Sequence, residues 1–472
     1  MRILYVVHEY WPRYQAGTEN YTHYLAESMA DLGHEVFVVA AEPLSNKNYE
    51  VEEYNEGRVR VIKIHKNVGV VGSIKGSYHD EKYQKVFQDV INKIDPDIVH
   101  VQHFLYASHG IVEIIRRRNI PILCTLHDSW LECFRVTRSG LKNELCGGWS
   151  PEKCSECLKL SELYTEKNQT PYLVRIAQDK LGGRRFFNRI INISKKVAAL
   201  RGNKDKENIK AIAGRYRAMK KLVKSVDLFI SPSNFLRDSY IKWGIREEKI
   251  LYSRNGTMVT PERPGQPKSK KPGEATVFAF TSFIRPEKGV EILLKAFEIL
   301  EKEKNINARL IVYGGYEKGA AYGSEFLENI KKIKNAEYRG KFDNKDISDI
   351  LAEVDYLVLP SLWFENAPLV IEEAYLNKIP CIVSNIGGMA ERVRNGVDGF
   401  HFTVGDPLDL AGKIKLVALN KSIRDELVKN IPQVKTMGEN AVELEGIYFS
   451  LIAKRSRKDH FGKIRFRERF GQ

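Results

Sequence analysis

The sequence predicts an α/β protein built from two doubly wound domains. Short runs of apolar and β-branched residues alternate with helical stretches, and this alternation occurs once in each half of the 472 residues. Continuous apolar strands separated by helices are typical of parallel sheets covered on both faces. A segment rich in Pro, Gly and Lys, at 258–274, separates the two halves and is predicted to be a linker. Because ligands of such sheets bind beyond the carboxyl ends of the strands, we expect the domains to face one cleft.

The first domain is expected to span residues 1–257 and to begin with a buried strand that starts at Arg2. Its other predicted strands lie at 34–40, 97–101, 120–126 and 226–231. Two segments interrupt the pattern: a Cys-rich element at 133–157 and a basic stretch at 162–224. Because the second of these contains helical patterns and no strand-like run, we expect a basic helical insert there.

The second domain is expected to span residues 275–437 and repeats the arrangement of the first. Its predicted strands lie at 275–280, 308–313, 355–359 and 380–384. Residues 438–472 are predicted to form a helix that packs back toward the first domain, followed by a basic tail.

The net charge of +15 is concentrated in two segments. Residues 171–224 contain 16 Lys or Arg against 3 acidic residues, and residues 454–472 contain 8 against 2. Cations interleaved with aromatic residues suit an anionic membrane face, where each cation contributes on the order of 1 kcal/mol. A solvated basic surface is the alternative. A nucleic-acid-binding protein is a further alternative, but it would place the charge on the folded domains.

No run of about 18 apolar residues occurs, so we expect no transmembrane helix. The first residues become charged too soon for a signal peptide. The expected location is therefore cytoplasmic, on the inner face of the cytoplasmic membrane.

The most informative motif lies between Pro360 and Ala374. An apolar strand end leads into a short loop carrying Glu365, and a helix is expected to begin near Pro368, because Pro is favoured in the first helical turn. The free amides and positive dipole end of a helix N-terminus suit an anion. A diphosphate at these amides, a sugar at Glu365 and a ribose at Glu373 form a consistent layout for a nucleotide-sugar donor.

This Glu-x7-Glu motif, with Gly387-Gly388-x-x-Glu391 and Asn395-Gly396 after it, resembles the group 1 (family 4) retaining glycosyltransferases with the GT-B fold. The resemblance implies two Rossmann-like domains and transfer of a hexose from a nucleotide-diphosphate sugar, such as a UDP- or GDP-sugar, to a hydroxyl of a glycan or lipid-linked acceptor. It also implies retention at the anomeric carbon, no catalytic metal, and a place in cell-surface polysaccharide or glycoconjugate assembly. A non-catalytic GT-B scaffold is the alternative.

By this resemblance, three residues take part in transfer. Glu365 holds the sugar, Lys288 contacts the donor phosphates, and His127 approaches the donor sugar and the acceptor. Asp128 follows His127 and is expected to orient its imidazole, although a strand-end His-Asp pair can be purely structural. His8 is a weaker candidate for a cleft residue.

The other expected donor contacts are Gly17, Arg285, Gly314, Asn366, Leu369, Val370 and Glu373. Many family members carry Gly-Arg shortly before the Lys, whereas this chain has Ser282-Phe283, so Arg285 is expected to replace that cation from another position. For Gly314, a plain strand-to-helix turn remains an equal alternative to ligand contact.

Four cysteines form the last candidate site. Cys133, Cys146, Cys154 and Cys157 lie in one short span that ends in C-x2-C. Four soft ligands in a cytoplasmic chain are typical of a structural Zn²⁺ site rather than of disulfides. Free thiols are the alternative, and the two remaining cysteines lie in strand-like runs of the predicted core.

Overall fold

The structure is a computed structural model that describes residues 1–43, 45–67, 74–138, 145–160, 204–258, 274–317 and 321–470. Its first half contains an eight-stranded sheet with the strand order β3-β4-β2-β1-β5-β6-β7-β8. These strands are β1 (Arg2–Val7), β2 (Glu35–Glu42), β3 (Val51–Glu56), β4 (Val59–His65), β5 (Ile98–Val101), β6 (Ile122–Thr125), β7 (Leu228–Ser231) and β8 (Ile250–Tyr252). All neighbours are parallel except the antiparallel pair β3–β4.

The second half contains a six-stranded parallel sheet with the order β11-β10-β9-β12-β13-β14. Its strands are β9 (Thr276–Thr281), β10 (Ala308–Tyr313), β11 (Ala336–Gly340), β12 (Tyr356–Leu359), β13 (Cys381–Ser384) and β14 (Gly399–Phe402). The prediction of two doubly wound, mainly parallel domains is therefore confirmed. The predicted linker lies almost entirely outside the described residues.

Helices cover the faces of both sheets. In the first half they are α1 (Gly17–Asp31), α2 (Glu81–Ile94), α3 (Ile111–Arg117), α4 (Pro151–Leu160), α5 (Lys204–Ser225) and α6 (Asn234–Trp243). In the second half they are α7 (Val290–Leu300), α8 (Ala321–Ile330), α9 (Ile347–Leu351), α10 (Leu369–Leu376), α11 (Gly387–Arg392), α12 (Pro407–Leu419), α13 (Ser422–Lys429) and α14 (Met437–Phe470). Of the predicted basic insert, only its end belongs to the described residues, as α5. Residues 161–203 lie outside them.

Each sheet has a point at which the strand order reverses. In the first sheet β1 lies between β2 and β5, and in the second β9 lies between β10 and β12. Crevices form beyond the carboxyl ends of the strands at such points. The candidate residues of both halves follow β1, β6, β9, β10 and β12, so they lie at these two crevices.

Helix α14 crosses from the second half onto the first. The hydroxyl of Tyr448 hydrogen-bonds to the hydroxyl of Tyr5 (3.0 Å) and to His100 Nδ1 (2.7 Å), all buried. Burial lowers the pKa of His100 to about 3, so the imidazole is a neutral hydrogen-bonding group. Where the helix begins, Thr257 and Thr436 form a parallel bridge, so the two chain crossings between the halves run side by side.

Among the described residues, no helix combines the length and the apolar character needed to cross a membrane.

Candidate active site

Glu365 is a buried carboxylate held by several hydrogen bonds. It lies in the loop between β12 and α10 and is only 7% exposed. Its Oε1 accepts three hydrogen bonds, from Lys288 Nζ (2.6 Å), Ser361 Oγ (3.0 Å) and Trp363 Nε1 (2.8 Å). Hydrogen bonds that involve a charged group are the strong ones in proteins. The carboxylate is therefore fixed before any ligand arrives.

Ser361 and Trp363 were not predicted from the sequence. Both lie in the predicted motif, at four and two residues before the carboxylate, but a Ser and a Trp in a loop carry no signal for this role. Only the turn of the loop aims both donors at one oxygen.

The turn that carries Lys288 is fixed by its neighbour Gly289. Residues Pro286–Lys288 form a 3₁₀ turn, and Gly289 follows with φ +68°, in the left-handed region that favours glycine. A Cβ at Gly289 would overlap the carbonyl oxygen of Pro360, at the end of β12. This close approach brings the Lys288 ammonium to Glu365 and to 5.2 Å from the centre of the Trp363 ring.

The glycine pair Gly387-Gly388 supports the Glu365 loop from the opposite side. The Gly388 amide donates to the Glu365 carbonyl (2.8 Å), and a Cβ at Gly388 would overlap the carbonyl oxygen of Asn366. The sequence pattern includes these glycines but does not explain why glycine is needed there. The structure explains it: only glycine lets α11 pack so closely against this loop.

Helix α10 begins at Leu369, directly after the loop. The first amides of a helix have no intrahelical acceptor, so those of Leu369 and Val370 are free to bind an anion. Glu373 lies on the next turn and accepts a weak hydrogen bond from Asn344 (3.5 Å). Burial raises the pKa of Glu373 to about 7. Asn344 also hydrogen-bonds to Tyr24 of α1, which brings the first half of the chain to this point.

On the opposite side of the cleft, His127 follows β6. Its Nε2 donates to the amide oxygen of Gln102 (2.8 Å), and its ring meets the Tyr21 ring edge-on at 5.3 Å. Burial, and then the nearby charge of His103, lower the pKa of His127 to about 3. The imidazole is therefore neutral near pH 7, with a proton on Nε2.

The expected pairing of Asp128 with His127 is wrong in this structure. Asp128 accepts from His103 Nε2 instead (2.9 Å), and Gln102 is the residue that orients His127. Burial opposes ionisation of Asp128, but the charge and hydrogen bond of His103 hold its pKa below its ordinary value. The reason is geometric. His103 and Asp128 follow the neighbouring strands β5 and β6, so their side chains can meet. His127 and Asp128 are consecutive residues after one strand, so their side chains point in different directions.

His8 lies at the same edge and pairs with the buried Glu19 (3.0 Å), which is 2% exposed. Ligand atoms of His8, Glu9 and Glu19 lie within 4.8 Å of one another. The rings of His8 and His103 are 4.6 Å apart. A row of imidazoles and carboxylates therefore lines the first-domain side of the crevice.

Asn366 joins the two sides. Its Nδ2 donates to the backbone carbonyls of Leu126 (3.0 Å) and His127 (3.2 Å), and its Oδ1 accepts from Ser233 Oγ (2.6 Å). Glu365 and His127 are thus held on facing sides of one cleft. The hydrogen bonds of the Asn366 side chain go to residues of the first domain, so its predicted contact with a nucleotide-sugar donor stays a prediction.

The remaining predicted donor contacts are less constrained. Gly17 begins α1, and a Cβ there would meet no atom within 4 Å. Gly314 has φ +147°, and a Cβ would overlap the carbonyl oxygen of Ser282, so packing between strand ends already requires this glycine. The Arg285 guanidinium lies over the exposed Phe283 ring at 4.5 Å.

The four cysteines of the predicted zinc site are free, partly exposed thiols on and before α4. Burial raises the pKa of Cys154 to about 11; a backbone hydrogen bond at Ser150 opposes the rise, and Cys133, Cys146 and Cys157 add to it as electrostatic neighbours. No three of these four described sulfurs lie within 4.8 Å of one another.

Comparisons with known proteins match both halves of the chain. A family model described as glycosyl transferases group 1 matches residues 263–434, and one described as glycosyltransferase family 4 matches residues 16–157. Together they cover about two thirds of the sequence.

Curated relatives match over shorter stretches. N-acetyl-alpha-D-glucosaminyl L-malate synthase of Bacillus anthracis is 25% identical over 48% of this chain and 57% of its own length. UDP-Gal:alpha-D-GlcNAc-diphosphoundecaprenol alpha-1,3-galactosyltransferase of Escherichia coli is 32% identical over 23% of this chain and 29% of its own length. The match thus spans less than two thirds of either relative.

Solved structures match over nearly the whole chain. Sucrose-phosphate synthase from Thermosynechococcus elongatus superposes with a TM-score of 0.64 at 16% identity, covering 96% of this chain and 99% of the other. Anabaena HepE in complex with UDP and glucose has a TM-score of 0.55 at 16% identity, covering 94% and 98%. These likenesses show the fold, and they confirm the predicted GT-B architecture.

Proposed function

Because the chain belongs to the group 1 glycosyltransferases, we propose that it transfers a hexose from a nucleotide-diphosphate sugar to a hydroxyl, with retention at the anomeric carbon and without a catalytic metal. The observation that carries the proposal is the position of Glu365. It is held by three donors beside a helix N-terminus, and the next residue, Asn366, hydrogen-bonds across the cleft to the backbone carbonyl of His127. The names of two similar proteins, a UDP-Gal galactosyltransferase and a UDP complex, favour a UDP-sugar donor.

In this proposal the diphosphate binds at the amides of Leu369 and Val370, where the helix dipole stabilises negative charge. Lys288 adds a cation. Before the donor binds, this ammonium is compensated by Glu365. A diphosphate carries more negative charge than one carboxylate, so it competes for the lysine and shares it with Glu365 when bound.

Glu365 positions the sugar in this scheme. All three protein donors reach Oε1, and no described residue donates to Oε2. That oxygen remains available to accept from a sugar hydroxyl. The fixed orientation of the carboxylate then selects the hydroxyl it meets, because a preorganised acceptor rejects ligands that leave it unpaired.

The transfer step needs little acid–base help from the protein. The acceptor oxygen forms a bond to the anomeric carbon, the bond from that carbon to the phosphate oxygen breaks, and the departing diphosphate takes the acceptor proton. Lys288 and the α10 amides stabilise the charge that develops on the leaving group. His127 is neutral near pH 7, so it positions hydroxyls by hydrogen bonding rather than as a cation.

Glu373 is proposed to accept from the ribose hydroxyls of the donor. It lies one turn beyond the phosphate-binding amides, and burial disfavours its charged form. A polyol can satisfy the side chain in either protonation state, whereas a phosphate would be repelled by the carboxylate.

We propose that the acceptor substrate is linked to a lipid and lies at an anionic membrane surface. The names of two similar proteins support it, a diphosphoundecaprenol galactosyltransferase and a lipopolysaccharide outer core galactosyltransferase. The described part of the basic insert adds a physical reason. The exposed cations of α5 fall on one face of the helix, at Lys206, Lys210, Arg217, Lys221 and Lys224.

Donor screening by thermal stabilisation tests the proposed reaction, since a ligand that binds only the folded state raises its apparent stability. We expect one of the UDP-, GDP- and ADP-sugars to stabilise the protein, and Lys288→Gln to reduce the response. Lys295→Gln, an exposed lysine on α7, is the matched control and should respond like the wild type. Absence of stabilisation by every donor would contradict the proposal.

Liposome flotation tests the membrane surface separately. We expect salt-sensitive binding to vesicles with anionic lipids and weaker binding after replacement of Lys206, Lys210 and Arg217 by Gln, with loss of about 1 kcal/mol per cation. Equal binding to neutral and anionic vesicles would refute the membrane proposal while leaving the donor proposal intact.

A further inference from the structure

The Cys-rich element joins the first domain where the chain leaves β6 and enters α4. Cys154 and Cys157 lie three residues apart on α4, and Cys133 and Cys146 come from the segments before it. We propose that these four side chains bind one structural Zn²⁺ as thiolates, and that the metal fastens a segment that contacts the loop carrying Glu365.

The arrangement of the thiols supports a shared ligand. Residues three apart on a helix lie on the same face, so the two α4 sulfurs can converge on one point. Cys154 has the other three thiols as electrostatic neighbours. All four are partly exposed, and none is in a disulfide. Tetrahedral ligation by four Cys is the common form of a structural zinc site.

Ligation must draw these sulfurs closer together. Zn–S bonds of about 2.3 Å place the four sulfurs of a tetrahedron within about 4 Å of one another. Among the described residues, no three of these sulfurs lie within 4.8 Å of one another. Two glycines, Gly147 and Gly148, follow Cys146, and a Cβ at either would meet no atom within 4 Å. The Cys146 segment therefore has the space and backbone freedom for the small movement required.

The surroundings of the sulfurs suit a negatively charged centre. Four thiolates around Zn²⁺ carry a net charge of two minus, which the protein must compensate. The guanidinium of Arg135 donates to Cys157 Sγ (3.5 Å). Backbone amides at Arg135 and Arg138 hydrogen-bond to the Cys133 sulfur, and the buried Arg215 acts on it electrostatically. Such second-shell donors fix the orientation of metal-bound ligands.

The apolar core around the four cysteines is small. Its buried apolar side chains are Ile74, Phe134, Leu158 and Ile212. The Trp149 ring stacks on Tyr216 of α5 with the ring centres 4.0 Å apart. Small apolar clusters of this size stabilise a fold weakly, and small elements of this kind are commonly stabilised by metals or disulfides.

The proposed metal site adjoins the cleft through Arg138. This residue follows Cys133 by five positions, donates to Ser239 Oγ (2.6 Å), and places its guanidinium 5.4 Å from the centre of the Phe364 ring. Phe364 precedes Glu365. A metal that fixes the 133–138 segment would therefore also fix the cation–π contact across the cleft.

Metal analysis of the full chain tests the proposal. Protein produced with zinc in the medium, purified under reducing conditions and freed of any metal-binding tag, should contain about one zinc per chain. We expect Cys154→Ser and Cys157→Ser to lose the zinc. Cys381→Ala, which changes a buried core thiol of the second sheet, is the control and should retain it.

A second measurement decides the case in which the Ser variants do not fold. Wild-type protein stripped with a chelator should melt at a lower temperature, and added Co²⁺ should give the thiolate charge-transfer absorption of a tetrahedral site, which Zn²⁺ then abolishes. Wild-type protein with far less than one zinc per chain, or with no thiolate band on adding Co²⁺, would overturn the proposal. Disulfides found among the four cysteines by non-reducing peptide mapping would overturn it equally.

Discussion

Glu373 makes the stability of this protein depend on pH in a direction that can be calculated. Burial raises its pKa from 4.5 to about 7. In the unfolded chain the carboxyl ionises near its ordinary value, so between these two pH values the folded state holds a proton that the unfolded state has lost. Stability from this group is therefore complete below about pH 4.5 and is lost as the pH rises to about 7.

The size of the effect follows from the shift. One pKa unit corresponds to about 1.4 kcal/mol, so the full shift corresponds to about 3.5 kcal/mol, an upper figure because part of Glu373 remains exposed to solvent. Glu373→Gln keeps the shape of the side chain and does not ionise. Between pH 5 and pH 8 the free energy of unfolding of this variant should therefore rise by about 2–3 kcal/mol relative to the wild type.

Thermal and urea unfolding at pH 5 and pH 8 measure this difference. A change of about 1 kcal/mol shifts the melting temperature of a domain of about 150–250 residues by roughly 2–4 °C. The melting temperature of the variant should therefore rise by about 4–12 °C relative to that of the wild type between pH 5 and pH 8. Glu328→Gln, which alters an exposed glutamate on α8, is the matched control and should follow the wild type at both. A difference between Glu373→Gln and the wild type that is equal at pH 5 and pH 8 would refute the reasoning.

Three further changes have expected outcomes. Trp363→Phe removes one of three donors to the Glu365 oxygen but keeps an aromatic ring. We therefore expect kcat/KM to fall roughly tenfold, or about 1.4 kcal/mol, with an unchanged melting temperature. A normal kcat/KM would show that this hydrogen bond does not position the carboxylate. Tyr448→Phe leaves two buried partners with one bond fewer and should destabilise the fold by about 1–3 kcal/mol in urea unfolding. Gly388→Ala should cost about 1–3 kcal/mol in the same assay, because its Cβ overlaps the Asn366 carbonyl, whereas Gly412→Ala, in open space on α12, should be neutral or stabilising by up to about 1 kcal/mol.

The sequence predicts the central parallel strands well because their signal is local. Buried strands such as β10 are continuous apolar runs, and Ala308–Tyr313 was predicted with the bounds that the structure has. The strands β3, β4, β8, β11 and β14 were not predicted, and they lie toward the edges of the two sheets. Edge strands such as β3 (Val51–Glu56) and β11 (Ala336–Gly340) are less buried and lack the apolar run by which the central strands were found.

Side-chain partners were harder to predict than strands. The motif around Glu365 is contiguous, so the carboxylate, its loop and the helix after it could be predicted together. The pairing of His127 with Gln102, and the bridge of Asn366 to the first domain, join residues 25 and about 240 positions apart. Such contacts are set by the meeting of strand ends and domains, which a single sequence does not encode locally.

The bridge between Thr257 and Thr436 has a mechanical consequence. The polypeptide passes between the lobes twice, and both passages are hydrogen-bonded to each other there, so they act as a single pivot instead of two separate tethers. We expect opening of the lobes to be a swing about this point. Spin labels flanking the pivot should keep their spacing when substrate is added, while labels at the mouth move; widening at the pivot itself would contradict a swing.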